Sequence, residues 1–150
     1  MNIKELNEAI AQILNESKLL AYHGSQYKNL KLNNCPIYLT SDKEEAVEYA
    51  KGSNFDYDLS KKDVPTVYTL EVTMNNPKII TTEDEYYEYM DISNYTYWDA
   101  ESNEKLGGIG DELVADGFDG VIYKPDGESF EYYLPFNAMK QCKIIEKEII

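Results

Sequence analysis

The chain of 150 residues contains one histidine, His23, in the stretch "AYHGSQ", behind the apolar pair Leu19-Leu20 and directly before Gly24 and Ser25. An imidazole that ends an apolar strand, followed by a residue without a side chain, stands at the mouth of a cleft where a ligand can come close to the backbone. With an ordinary pKa near neutrality, such a ring either carries protons or holds a ligand by hydrogen bonds. A lone histidine more often serves solvation or core packing, so its surroundings decide. Cys35 and Cys142 have no near partner in sequence and no metal-ligand spacing. They read as free thiols of a reducing, cytoplasmic compartment, and no zinc chemistry is expected of them.

The elements that must position these residues follow from periodicity. Ile3, Leu6, Ile10, Ile13 and Leu14 fall on one face of a helix, with Asn2 as N-cap and Glu5 three residues on. "KLLAYHGS" predicts a short strand that ends at Gly24. In "CPIYLTSDKEEAVEYAKG" a strand over Ile37 to Thr40 runs into a helix with a capping box of Ser41 and Glu44 and a glycine stop at Gly52. "TVYTLEVTM" alternates as a half-buried strand, and "NNP" ends it. Beyond Gly107 come a helix in "DELVADG", a strand in "FDGVIY", a tight turn "KPDG", a strand in "SFEYYLP" and a last strand in "KQCKIIEKEII". Residues 81 to 105, dense in tyrosine and acid and holding Trp98, the only tryptophan, read as an irregular or weakly helical surface insertion. Mixed helices and strands with an antiparallel C-terminal part predict a single α+β domain.

Charge narrows the partners. Against 28 acidic residues stand 14 lysines and no arginine, a net charge of −14. Such a field repels a nucleic-acid backbone, so nucleic acid is not expected as a partner. The N-terminal "MNIKELNEAI" is charged where a secretory signal needs an apolar run, and no stretch reaches the length of a membrane span. A basic protein surface does suit this field. Tyrosine and tryptophan beside carboxylates, from Tyr86 to Trp98, would dock on one, with nucleic-acid mimicry as the limiting case.

Taken in order, "YHGS", "IYLTSDKEEAVEYAKG", "VYTLEVTMNNPKII" and "GFDGVIYKPDGESFEYYLPFNAMKQCKII" resemble the ADP-ribosyltransferase superfamily, over about residues 19 to 145 with a gap at 81 to 106. The resemblance is to the compact His-Tyr-Glu branch, related to diphtheria-toxin-like and poly(ADP-ribose) polymerase catalytic domains and common in phage and toxin proteins. It implies two packed, mainly antiparallel sheets with flanking helices around an NAD cleft. It further implies a mono-ADP-ribosyltransferase that moves ADP-ribose from NAD to a protein target. His23 matches the histidine that bonds the adenosine ribose, Gly24 the residue whose backbone grips the nicotinamide amide, with Ser25 beside it. Tyr38 matches the aromatic that stacks on nicotinamide. Tyr49 matches a second aromatic wall, a role for which Tyr22 and Tyr57 compete, and Glu131 matches the catalytic glutamate.

These residue types suit the reaction. Cleavage of the nicotinamide–ribose bond passes through an oxocarbenium-like state, which a carboxylate at the ribose stabilises. Nicotinamide leaves without acid assistance, so one carboxylate suffices, while stacking and an imidazole hydrogen bond fix the orientation. His23 then binds and orients; it does not relay protons. Two departures stand out. Ser129 occupies the position two before Glu131 where arginine-modifying relatives carry a second glutamate, so an arginine acceptor is not implied. The pyrophosphate has only lysines to meet, such as Lys28, Lys31 or Lys124. Water as acceptor, giving NAD hydrolysis, is the alternative use of the same pocket.

Overall fold

The computed structural model describes residues 2–6, 18–52, 64–91 and 108–150. Seven strands form one mixed sheet: β1 (Lys18–Ser25), β2 (Leu39–Thr40), β3 (Thr66–Thr73), β4 (Pro77–Ile80), β5 (Gly120–Tyr123), β6 (Tyr132–Pro135) and β7 (Cys142–Ile149). Their spatial order is β4-β5-β6-β2-β1-β3-β7. Among the described residues four helices accompany them, α1 (Lys43–Lys51), α2 (Glu83–Tyr89), α3 (Gly108–Ala115) and α4 (Ala138–Gln141). Residues 3–6 are also helical, and the Glu5 N–H donates to Asn2 Oδ1 at 2.8 Å, as the N-cap reading requires. The rest of that expected helix lies outside the described residues.

The α+β class holds, but the expected pair of sheets is corrected to one continuous sheet. The cause is β2, two residues long, which pairs antiparallel with β1 on one side and with β6 on the other. It joins a β1-β3-β7 half to a β4-β5-β6 half. Alternation along the strands explains how the halves still share a core. Ala21, Leu39, Tyr68, Leu70 and Val72 from one half meet Ile122 and Tyr133 from the other in a single buried cluster, so the sheet curls over it. Their neighbours face outward: Val67 meets Ala46 and Ala50 of α1, and Val121 and Leu134 meet Ile80, Met90 and Leu113. Each fully buried aliphatic side chain here contributes roughly 1.5–3 kcal/mol.

Several local expectations shift. Strand β2 begins at Leu39, leaving Ile37 and Tyr38 before it, and β6 begins at Tyr132, leaving Glu131 before it. The cap of α1 is Asp42 and not Ser41: the Asp42 carboxylate accepts the Glu44 N–H at 3.0 Å, while Ser41 Oγ accepts the Glu131 N–H at 2.8 Å. A cap of this kind contributes about 1 kcal/mol. The stop at Gly52 stands, with φ 75° and its N–H returned to the last carbonyls of α1. Residues 77–80, unassigned from sequence, form β4, parallel to β5. Of the stretch expected to be irregular or weakly helical, residues 83–89 form a capped helix: Thr82 and Glu85 close a reciprocal capping box.

Candidate active site

The cleft begins where β1 and β2 part. Their one register pair is Tyr22 with Thr40. Beyond it lies a cavity of about 380 Å³, near the lower end of the ~300–1,000 Å³ usual for small-molecule sites. Its floor and near wall are Tyr22, His23 and Gly24 of β1 with Tyr38 and Thr40. Tyr49 of α1 closes one side, and Tyr86, Tyr87, Met90 and Asp91 of α2 and its exit close the other. A second cavity of about 250 Å³ shares His23 and Tyr38 with the first and is bordered by Lys31.

His23 is fixed by one bond. Its Nδ1 lies 3.0 Å from the Tyr38 carbonyl oxygen, which only accepts, so Nδ1 carries the hydrogen. Every buried side-chain nitrogen and oxygen among the described residues has a partner. Nε2 has no partner among the described residues and is left as an acceptor on a ring that borders both cavities. Burial lowers the ring's pKa below its usual 6.5, partly opposed by the bond to Tyr38, and keeps it neutral at pH 7. The folded state therefore binds fewer protons than the unfolded one between the lowered value and 6.5, and stability falls as pH drops through that window. Melts at about pH 7.5 and about pH 5.5 test this. The stability gap between wild type and His23→Asn is expected to narrow at the lower pH; a constant gap would refute it.

The tyrosines form one network. Tyr38 Oη lies 2.8 Å from Tyr86 Oη, and the Tyr38 ring packs 5.5 Å from that of Tyr132, centroid to centroid. Tyr86 in turn packs on Tyr123 at 5.0 Å and Tyr132 at 5.8 Å. Burial, first of all, raises the hydroxyls of Tyr38, Tyr49, Tyr86 and Tyr132 above the usual tyrosine range, far above for Tyr38 and Tyr132, so all four stay protonated. Tyr86 and Met90, one turn apart, face inward, and Met90 is 1% exposed. The sequence signal for them was the Thr82–Glu85 box, which announces a helix start.

Four of the sequence-derived residues, His23, Gly24, Tyr38 and Tyr49, thus line one cavity. Ser25 does not; it pairs with Thr66 at the end of β1, and its Oγ accepts the Tyr27 N–H at 3.1 Å. Glu131 is not among the lining residues either. Its Oε2 accepts the Tyr133 hydroxyl at 2.7 Å, and Lys124 Nζ lies 3.9 Å from its Oε1. The carboxylate that sequence reading passed over is Glu45, whose Oε1 accepts the Tyr132 hydroxyl at 2.6 Å and whose Oε2 accepts from Thr40 at 3.4 Å. Gly24 has a role beyond the cleft wall: a Cβ there would stand 1.9 Å from the Ala46 carbonyl oxygen of α1. Tyr57 lies outside the described residues, as does the Tyr86–Trp98 segment past Asp91. Among the described residues, no helix is long and apolar enough to cross a membrane, and no group of three His, Cys, Asp or Glu side chains could hold a metal ion.

The α+β fold is similar to that of a protein from a toxin-antitoxin system. That neighbour is a chain of the M. tuberculosis MbcT-MbcA toxin-antitoxin complex, matching with a TM-score of 0.51 and 12% identity over 95% of this chain and 92% of that one. At this identity the likeness is one of fold. No protein-family model matches the chain, and no curated protein matches it.

Proposed function

We propose that the chain binds NAD⁺ in the tyrosine-lined cleft, breaks the bond between nicotinamide and ribose, and passes ADP-ribose to a protein acceptor as a toxin-type mono-ADP-ribosyltransferase. The observation that carries this reading is the convergence of His23, Gly24, Tyr38 and Tyr49, assigned from motif order alone, on one cavity of about 380 Å³. The neutral His23 ring offers Nε2 to a ribose hydroxyl, a role for which an acceptor is required and a charge is not. Tyr38 gives nicotinamide a face to stack on, and Tyr49 and Tyr86 bound the opposite sides. Lys31, beside the second cavity, supplies a cation for the pyrophosphate. The family resemblance assigns the carboxylate at the ribose to Glu131. The fold shared with a toxin-antitoxin protein favours a toxin held in check by a protein partner.

Hydrolysis is the second reading, favoured by Ser129 at the position where an acceptor-activating glutamate would stand. One experiment separates them: NAD⁺ labelled in its adenosine half, incubated with bacterial extract and either wild type or His23→Ala, with nicotinamide and macromolecule-bound label both followed. Release with label on a protein, each reduced at least ~10-fold in the variant, is expected, since an unpaired hydrogen-bonding group costs on the order of 1–3 kcal/mol. Release without label assigns hydrolysis. No release from wild type would overturn the enzyme reading in favour of a binding protein.

A further inference from the structure

The chemistry proposed above needs negative charge near the ribose, and the following inference rests on that reading. Two glutamates flank the β2–β6 pairing, and they face different ways. Glu131 is bound by Tyr133, which sits in the central cluster on the inner face of the sheet, and Lys124 lies beside it. Glu45 is bound by Tyr132, the next residue along β6 and therefore on the opposite face, packed against Tyr38 and Tyr86 at the cleft. No lysine among the described residues lies within ion-pair distance of Glu45.

Thr40 connects this carboxylate to the cavity. Its hydroxyl donates to Glu45 Oε2 at 3.4 Å and accepts the Asp42 N–H at 3.1 Å. A hydroxyl oxygen has one hydrogen and two lone pairs. With the hydrogen committed to Glu45 and one lone pair to Asp42, the second lone pair remains for the cleft, which Thr40 lines. The reach of the Glu45 charge is visible in its neighbours: it helps to hold the hydroxyls of Tyr49, Tyr86 and Tyr132 in their protonated form.

We propose that Glu45, through the Thr40 hydroxyl it orients, stabilises the positive charge that develops on the ribose as nicotinamide departs. The bond between ribose C1′ and the nicotinamide nitrogen breaks with its electron pair staying on nitrogen, so nicotinamide leaves neutral. The cationic C1′ then takes an electron pair from the acceptor, whose proton passes to solvent. Thr40 touches the ribose; Glu45 is a positioning and electrostatic residue behind it.

The test is steady-state nicotinamide release by wild type, Glu45→Gln, Thr40→Val, Thr40→Ser and Glu131→Gln, with a thermal melt of each. Glu45→Gln keeps one acceptor, for Tyr132, and sets an NH2 where Oε2 accepts from Thr40, so it removes the charge together with the orientation of the Thr40 hydroxyl. Its kcat is expected to fall on the order of 100-fold with KM for NAD⁺ within about threefold, as for loss of a charge-stabilising group used only in the transition state. Thr40→Val should match it, and Thr40→Ser should recover most of the rate. The loss in Glu45→Gln should exceed that in Glu131→Gln by at least about tenfold. Should Glu45→Gln melt far below wild type, the Thr40→Val and Thr40→Ser pair decides. A Glu45→Gln kcat within about threefold of wild type, or a Glu131→Gln loss larger than that of Glu45→Gln, overturns the role of Glu45 and leaves the NAD reading intact. Wild type without turnover overturns both.

Discussion

Tyr38→Ala is expected to lower kcat/KM for nicotinamide release by about 10–100-fold, while Tyr38→Phe stays within about fivefold of wild type. The estimate follows from stacking of a flat heterocycle on an aromatic side chain, worth roughly 1–3 kcal/mol by alanine substitution, with about 1.4 kcal/mol for each tenfold. Phenylalanine keeps the face and loses only the hydroxyl that meets Tyr86 Oη at 2.8 Å. That hydroxyl bond spans the cleft from the residue before β2 to α2, so its loss should be felt in KM. The backbone carbonyl of Tyr38 still holds His23 in either variant. Steady-state kinetics of the two variants check the reading, and equal losses in both would mean that the hydroxyl, and not the ring face, carries the interaction.

Gly24→Ala is expected to destabilise the fold by about 3 kcal/mol, the upper end of what overpacking costs. In a chain of this length that lowers the melting temperature by roughly 6–12 °C. The reason is room and not backbone angle. Gly24 is not among the glycines with positive φ, yet an added Cβ meets the Ala46 carbonyl oxygen at 1.9 Å and the Ala50 nitrogen at 2.8 Å. Those atoms are backbone, so relief requires α1 to move off β1 as a whole. Ala46 and Ala50, both fully buried, are small for the same reason: helix and strand touch main chain to main chain. Gly127→Ala is the control. Nothing lies within 4 Å of a Cβ there, and φ is +79°, so only the left-handed conformation is penalised, at roughly 1–2 kcal/mol. Calorimetric melts rank the two, and comparable shifts would contradict the contact argument.

What could be read from sequence was local. The strand ending in His-Gly, the helix stopped by Gly52, the alternating β3 and the "KPDG" turn, closed by the Glu128 N–H on the Pro125 carbonyl, each carry their own signal within a few residues. What was missed depends on distance. Strand β4 is four residues long, begins with Pro77, and is defined by a parallel partner at residues 120–123. Whether two half-sheets are separate or joined turns on the two residues of β2. In the segment around Tyr86, acidic side chains on every side hid the inward Tyr86–Met90 face. The convergence of His23, Gly24, Tyr38 and Tyr49 was legible because motif order carries it. The placement of carboxylates was not: Glu45 is one of 28 acids, and the hydroxyl that marks it out belongs to a tyrosine 87 positions along the chain.

The short β2 also bears on how the protein comes apart. Along that seam the ladder through β2 is short, so cohesion between the halves leans on the buried cluster they share. The cavity straddles the seam, drawing His23 and Tyr49 from one half and Tyr86 and Met90 from the other. An occupant is therefore a crosslink as well as a guest, and its binding free energy adds directly to resistance against local opening. Saturation with ligand would raise the cost of parting the two halves of the sheet.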